Sequence, residues 1–252
     1  MPPELMFKPV RIARASDEVV RQVKALIFEG KLAPGDQLPS EKGLAEQFGL
    51  SRVTIRDALR VLESQGLIVI KVGARGGAFV APPSTRPVSD SLATMLRLQR
   101  ATFDELIEAR MVVETRVAAL AAERATPADV AAMERALASA RAGRAAGDPY
   151  FVPHSVAFHL ALAEASRNQV LLSTVSSFRT LFHEALAALL PADDMADRAI
   201  ADHRRILDAI KGRDGTRAQR LMHKHLAYFA ERVGKAQAPR GTHARWPAKT
   251  GR

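Results

Sequence analysis

Residues 35–80 read GDQLPSEKGLAEQFGLSRVTIRDALRVLESQGLIVIKVGARGGAFV. Ser40 stands as an N-cap before a short run that stops at Gly49, and Ser51 caps a second run, RVTIRDALRVLESQG, that stops at Gly66. The two helices and the turn Phe48-Gly49-Leu50 between them spell a helix-turn-helix. In the second helix Ile55, Ala58, Leu59 and Leu62 share one apolar face, while Ser51, Arg52, Thr54 and Arg56 crowd its N-terminal turns on the other side. LIVIKV is then rich in β-branched residues, GARGG is a reversal and AFVAP is again extended, so a two-stranded wing is predicted. Upstream, Val19, Val20, Val23, Leu26 and Ile27 recur at helical spacing within Asp17 to Glu29, and GKLAPGDQLPS closes that first helix as a turn-rich stop.

The N-terminal end of such a second helix suits the DNA major groove. There an arginine can bond guanine O6 and N7 together, and hydroxyls reach bases or phosphate. Arg52 and Arg56 are four apart and share a helix face. Gly73, Arg75, Gly76 and Gly77 make the wing tip, where glycines permit close backbone approach and Arg75 suits a narrow minor groove.

Working outward, PPSTRP breaks the chain, and from Ser89 to about Gly234 the pattern is helical throughout. Helices are expected near 89–99, 103–124, 127–146, 150–166, 169–190, 195–212 and 214–234, with breaks at Thr126-Pro127, Gly147-Asp148-Pro149, Arg167-Asn168, Pro191 and Gly212. Their lengths suit an antiparallel bundle. The expected fold is therefore mainly α. Its parts are an N-terminal extension (1–16), a winged helix-turn-helix of three helices and a two-stranded wing (17–82), a linker (83–88), an all-α antiparallel bundle (89–234) and a basic, disordered tail (235–252).

Composition bounds the function. The chain carries no cysteine, which removes disulfides, thiolate zinc sites and cysteine nucleophiles and suits a reducing cytoplasm. No apolar run approaches the roughly 20 residues needed to cross a bilayer, so no membrane partner is expected. The net charge of +10 points to a polyanion, but half of it lies in 235–252, which holds five Lys/Arg and no acid.

The stretch 35–80 resembles the GntR-family winged helix, whose pattern runs G-x-x-LPSE-x-x-LA, then VSR-x-TVR-x-AL-x-x-L, then G-x-x-x-x-x-x-G-x-GTFV. The resemblance implies double-stranded operator DNA with an inverted repeat as partner and a homodimer to match its two-fold symmetry. It places Lys42 where the family carries an arginine. A lysine keeps the charge but lacks the planar fork, so a phosphate contact is expected. The segments FDELIEARMVVETRVAALAAERAT, FHLALAEASRNQVL, DHRRILDAIKGRD and AQRLMHKHL, within residues 103–230, resemble the FCD subgroup of that family. This implies an FCD-type bundle that binds a metal and a small, usually carboxylate-bearing effector. Together these imply a DNA-binding transcriptional regulator without enzymatic activity, a repressor released by an organic acid. Two other readings stay open: a metal-dependent enzyme and a non-specific architectural DNA binder.

Helical faces bear on the metal independently. His159 shares a stripe with Val152, Val156, Leu162 and Ala163, His203 with Ile200, Ile206, Leu207 and Ile210, and His225 with Ala218, Leu221, Met222 and Phe229. All three point inward, whereas His223 faces out; His154, His183 and His243 are assigned to the surface or tail. Imidazoles without thiolate fit a divalent transition ion such as Zn²⁺ or Ni²⁺. Metal-binding members of the subgroup commonly carry Asp four residues before the first histidine, where this chain has Ser155. Three arrangements remain: His159, His203 and His225 hold the ion with water or effector completing it; Asp148 or His154 reaches in; or no metal binds and the histidines contact an anion. Arg110 lies on the stripe of Phe103, Leu106, Ile107, Val113 and Val117 and needs an anionic partner, either Glu114 one turn on or the effector carboxylate; the two are compatible.

Overall fold

The structure is a computed structural model that describes residues 15–73, 76–147, 151–187 and 193–237. Arg75, Asp148, His243, the extension 1–14 and most of the tail, all singled out by sequence, lie outside the described residues, as do the side chains of His154 and His183. The chain divides into two compact units between Pro87 and Val88.

In the first unit α1 (Ala15–Phe28), α2 (Glu41–Phe48) and α3 (Arg52–Ser64) precede β1 (Ile68–Lys71) and β2 (Gly77–Val80). The hydroxyl of Ser40 accepts the Gly43 amide and that of Ser51 the Thr54 amide, so both caps stand as expected. Gly49 ends α2 at φ +65°, a left-handed conformation that costs glycine little and sets the turn into α3. Val19, Val20 and Val23 pack on Leu44, Ile55, Ala58, Leu59, Leu62 and Ile68. Leu26, placed on the same stripe by spacing, is exposed.

The wing is an antiparallel hairpin pairing Ile68 with Val80 and Lys71 with Gly77. A Cβ on Gly76 would lie 2.4 Å from the Lys71 carbonyl, so only glycine passes there. The supposed turn-rich stop does more than turn the chain. The Leu38 amide donates to the Ala78 carbonyl at 2.8 Å and the Val80 amide to the Asp36 carbonyl at 2.8 Å, with a bridge between Gln37 and Phe79. Residues 36–38 thus cover the second edge of β2, whose backbone groups would otherwise lack partners.

In the second unit all described elements are helices: α4 (Arg86–Leu98), α5 (Phe103–Arg124), α6 (Pro127–Ala145), α7 (Phe151–Ala165), α8 (Gln169–Ala187), α9 (Asp193–Lys211) and α10 (Gly215–Gln237). α4 begins three residues earlier than the periodicity implies. Pro87 therefore lies in its first turn, where the missing amide would have no intrahelical partner anyway. Thr102 and Thr126 open α5 and α6 with capping boxes closed by Glu105 and Asp129. α5 packs against α7, α8, α9 and α10. Val117, Ala118, Ala121 and Ala122 on α5 meet Phe158 and Leu162 of α7, Ile206 and Ile210 of α9, and Met222 and Leu226 of α10. Small residues on α5 let three helices approach it closely, which is what brings inward polar groups from all of them to one place. No described helix is long and apolar enough to cross a membrane.

Candidate functional site

Two places hold the residues singled out by sequence. At the start of α3, Arg52 and Arg56 are exposed on adjacent turns. The Ser51 hydroxyl caps the helix through the Thr54 amide at 3.2 Å and also lies 2.9 Å from the Thr54 hydroxyl. Glu41, in the first turn of α2, grips Arg56 with both oxygens: Arg56 Nε donates to Oε1 at 3.0 Å and Nη2 to Oε2 at 2.6 Å. Arg52 Nη2 is 3.7 Å from the same carboxylate. These hydrogen bonds from Arg56, helped by the nearby arginine charges, hold the Glu41 carboxyl below its ordinary range, and the pairing raises Arg56 in turn. Glu41 occupies the Nε/Nη2 edge of Arg56, which leaves the Nη1/Nη2 end as a fork of fixed orientation. Lys42 is exposed and stands 3.8 Å from Glu46. Gly73 and Gly76 close the wing turn, the Gly76 amide donating to the Gly73 carbonyl at 2.8 Å.

The second place is buried among α5, α7, α9 and α10. His203 Nε2 lies 3.2 Å from His159 Nε2 and 3.2 Å from His225 Nε2. The rings are 5%, 1% and 2% exposed for His159, His203 and His225, so their nitrogens meet away from water. Phe158 stacks on His203 with centroids 4.3 Å apart, and Phe229 sets its edge against His225. Burial, followed by the neighbouring imidazoles and Arg110, pushes His203 well below its ordinary value. Burial also pushes His225 down to about 4, against the opposing pull of Asp202. Neutral imidazoles with lone pairs turned toward one another are what a metal ion requires. An ion with M–N bonds of about 2.0–2.1 Å in octahedral or tetrahedral geometry holds neighbouring nitrogens about 2.8–3.4 Å apart, and the observed 3.2 Å falls inside that span. Among the described residues these three form the one group of His, Asp or Glu with metal-binding spacing.

Behind the rings stand carboxylates. Glu114 Oε1 accepts from Arg110 Nε at 2.5 Å while its Oε2 meets His159 Nδ1. Burial alone would raise the Glu114 carboxyl; the Arg110 charge and the hydrogen bonds with Arg110 and His159 outweigh it and hold the group ionised. His225 Nδ1 is buried without a hydrogen bond, and Asp202 Oδ2 is 3.7 Å away. Asp202 is itself held by Arg198 at 2.9 Å and Arg205 at 3.3 Å. Ser155 is half-buried one turn before His159. Periodicity does not single out Glu41 or Asp202, and it assigns Glu114 only to Arg110. For Asp202 a signal existed, since it adjoins His203 on a helix whose buried face is wide enough to include both.

Residues 15–80 match the family described as bacterial regulatory proteins, gntR family, and residues 105–228 match the FCD domain. The HTH-type transcriptional regulator LutR of Bacillus subtilis (strain 168) is 32% identical over 221 residues, 82% of this chain and 100% of that protein. The putative L-lactate dehydrogenase operon regulatory protein of Escherichia coli (strain K12) is 31% identical over 241 residues, 92% of this chain and 91% of that protein. The solved structure of Streptococcus agalactiae GntR superposes with a TM-score of 0.67 at 25% identity, covering 86% of this chain and 99% of that one. With a winged helix-turn-helix at one end, a helical FCD domain at the other and relatives matched over nearly their whole length, the chain belongs to the GntR family of DNA-binding transcriptional regulators.

Proposed function

We propose that the protein is a cytoplasmic, homodimeric repressor that leaves its operator when a small organic acid binds in the helical domain beside a divalent transition metal of the Zn or Ni class. The observation that carries this reading is the meeting of three buried imidazoles, with His203 Nε2 3.2 Å from the Nε2 of both His159 and His225. Residues 17–82 bind DNA, 83–88 link, and 89–234 sense the effector and pair the two copies. Arg52 and Arg56 read base edges, with Ser51, Thr54, Lys42 and the wing glycines against backbone phosphate and Arg75 in the adjacent minor groove.

His159, His203 and His225 hold the ion, which supplies a positive charge able to take a carboxylate. With Ser155 in place of an acid, the three imidazoles bring no compensating charge of their own, which favours an anionic effector. Arg110, buried in the same cluster and oriented by Glu114, holds the far end of that acid. One relative's name ties it to an L-lactate dehydrogenase operon, in keeping with an organic acid as the signal. Release then needs only that the acid favour the dimer geometry whose recognition helices mismatch the half-sites.

The test uses untagged protein never exposed to a nickel column. Metal near one ion per chain is expected, and His203→Ala should lose it. Small carboxylic acids should lower operator affinity of the loaded protein in fluorescence anisotropy. An absence of bound metal, or a metal content unchanged in His203→Ala, sinks the site. Operator binding indifferent to every acid sinks the effector.

A further inference from the structure

One carboxylate touches both halves of the proposed site. Glu114 spends Oε1 on Arg110, on its own helix, and Oε2 on the Nδ1 of His159 from α7. It is 2% exposed, and both partners are buried as well. An imidazole carries its protons on two nitrogens at opposite edges of the ring. Once Nδ1–H is engaged by a carboxylate, the neutral ring presents a bare Nε2 lone pair, and the ring plane is fixed. In this chain that nitrogen lies 3.2 Å from His203 Nε2, with the His225 ring alongside.

We infer that Glu114 is the positioning residue of the metal centre: it selects the His159 tautomer that can bind an ion, supplies from behind the ring the negative charge that Ser155 does not supply in front of it, and ties that ring to Arg110. The inference rests on the functional reading of the cluster given above. Charge placed behind the ring, with no acid at Ser155, would leave room beside the three imidazoles for an exogenous anion while the His159 nitrogen stays basic. Asp202 stands in a weaker version of the same relation to His225, at 3.7 Å from Nδ1. The Oε1 contact fixes the Arg110 fork relative to the same carboxylate. Any ligand that pulls on Arg110 therefore also pulls on a metal ligand through a chain of two contacts.

A structural role for Glu114, limited to neutralising Arg110, predicts something different, and zinc binding measured by chelator competition separates the two. Glu114→Gln keeps the size and one acceptor but removes the charge. It should weaken zinc binding about 10- to 100-fold, with the far-UV circular dichroism unchanged. Ser155→Asp supplies a carboxylate from one turn before His159. Its gain in zinc affinity should be several-fold larger in the Glu114→Gln background than in the wild type, because there it replaces the missing charge. Equal gains in the two backgrounds overturn the inference, as does a Glu114→Gln protein that folds and binds zinc like the wild type.

Because a variant at a buried ion pair can fail to fold, the tautomer is also read in the wild type. In chelator-treated protein labelled with ¹⁵N-histidine, long-range correlation spectra should show His159 protonated on Nδ1 and bare at Nε2. A His159 ring protonated at Nε2 refutes the inference with no substitution at all. Wild-type protein that takes up no zinc removes both the functional reading and the inference; zinc uptake that ignores Glu114 removes the inference alone.

Discussion

Glu41→Gln tests how the recognition helix is prepared for DNA. The change removes the carboxylate that grips Arg56 at 3.0 and 2.6 Å and lies 3.7 Å from Arg52. The Arg56 and Glu41 side chains are 48% and 30% exposed, so the pair contributes no more than about 1 kcal/mol to stability and the domain stays folded. Two effects on DNA follow. The uncovered positive charge adds up to one phosphate-neutralising unit, which steepens the salt dependence by ~0.9 and weakens binding about 3.5-fold more between 50 and 200 mM salt than in the wild type. The freed guanidinium must also be immobilised again on binding, at about 0.5–1.5 kcal/mol for a long side chain, so the ratio of operator to scrambled affinity falls about 2- to 12-fold. Fluorescence anisotropy on an operator selected from random duplexes and on its scrambled version, across that salt range, measures both. A variant with the wild-type slope and the wild-type ratio would show that Glu41 does not prepare Arg56, and the reasoning would fail.

Arg52→Ala should cost about 1–3 kcal/mol on the selected operator and little on scrambled DNA; equal losses on both would reassign Arg52 to phosphate. In chelator-treated protein, His225 held at about 4 and His203 held well below 6.5 mean that the unfolded chain binds more protons than the folded one between those values. Stability should therefore rise with pH through that window and be lost as pH falls from about 6.5. His225 alone accounts for roughly 2 kcal/mol by pH 5, and equal urea midpoints at pH 7.5 and pH 5 would contradict this. Phe158, 1% exposed and stacked on His203 at 4.3 Å, should cost about 3–5 kcal/mol as Phe158→Ala. A loss under 1 kcal/mol in denaturant titration would mean that the ring does not brace His203.

What the sequence determined by itself is everything that depends on neighbours within one helix or one turn. Ser40, Ser51, Thr102 and Thr126 cap helices because the amides they satisfy lie three residues away. The three histidines face inward because the 3.6-residue period puts each on an apolar stripe. Arg110 and Glu114 pair one turn apart on α5 for the same reason. The tertiary structure decided which faces meet. Glu41 reaches Arg56 across 15 positions, Glu114 reaches His159 across 45, and His203 meets His159 across 44. Such contacts depend on how closely helices approach, on where along their length they cross, and on the rotamers chosen once the core is filled. None of these has a period along the chain. The strip 36–38 shows the same limit, since the flanking Pro34, Gly35 and Pro39 signal a turn while the Leu38 amide and the Asp36 carbonyl are claimed by β2, some 40 residues later. Periodicity gives the direction in which each side chain points, and only packing sets the ångströms that make three imidazoles a candidate metal centre.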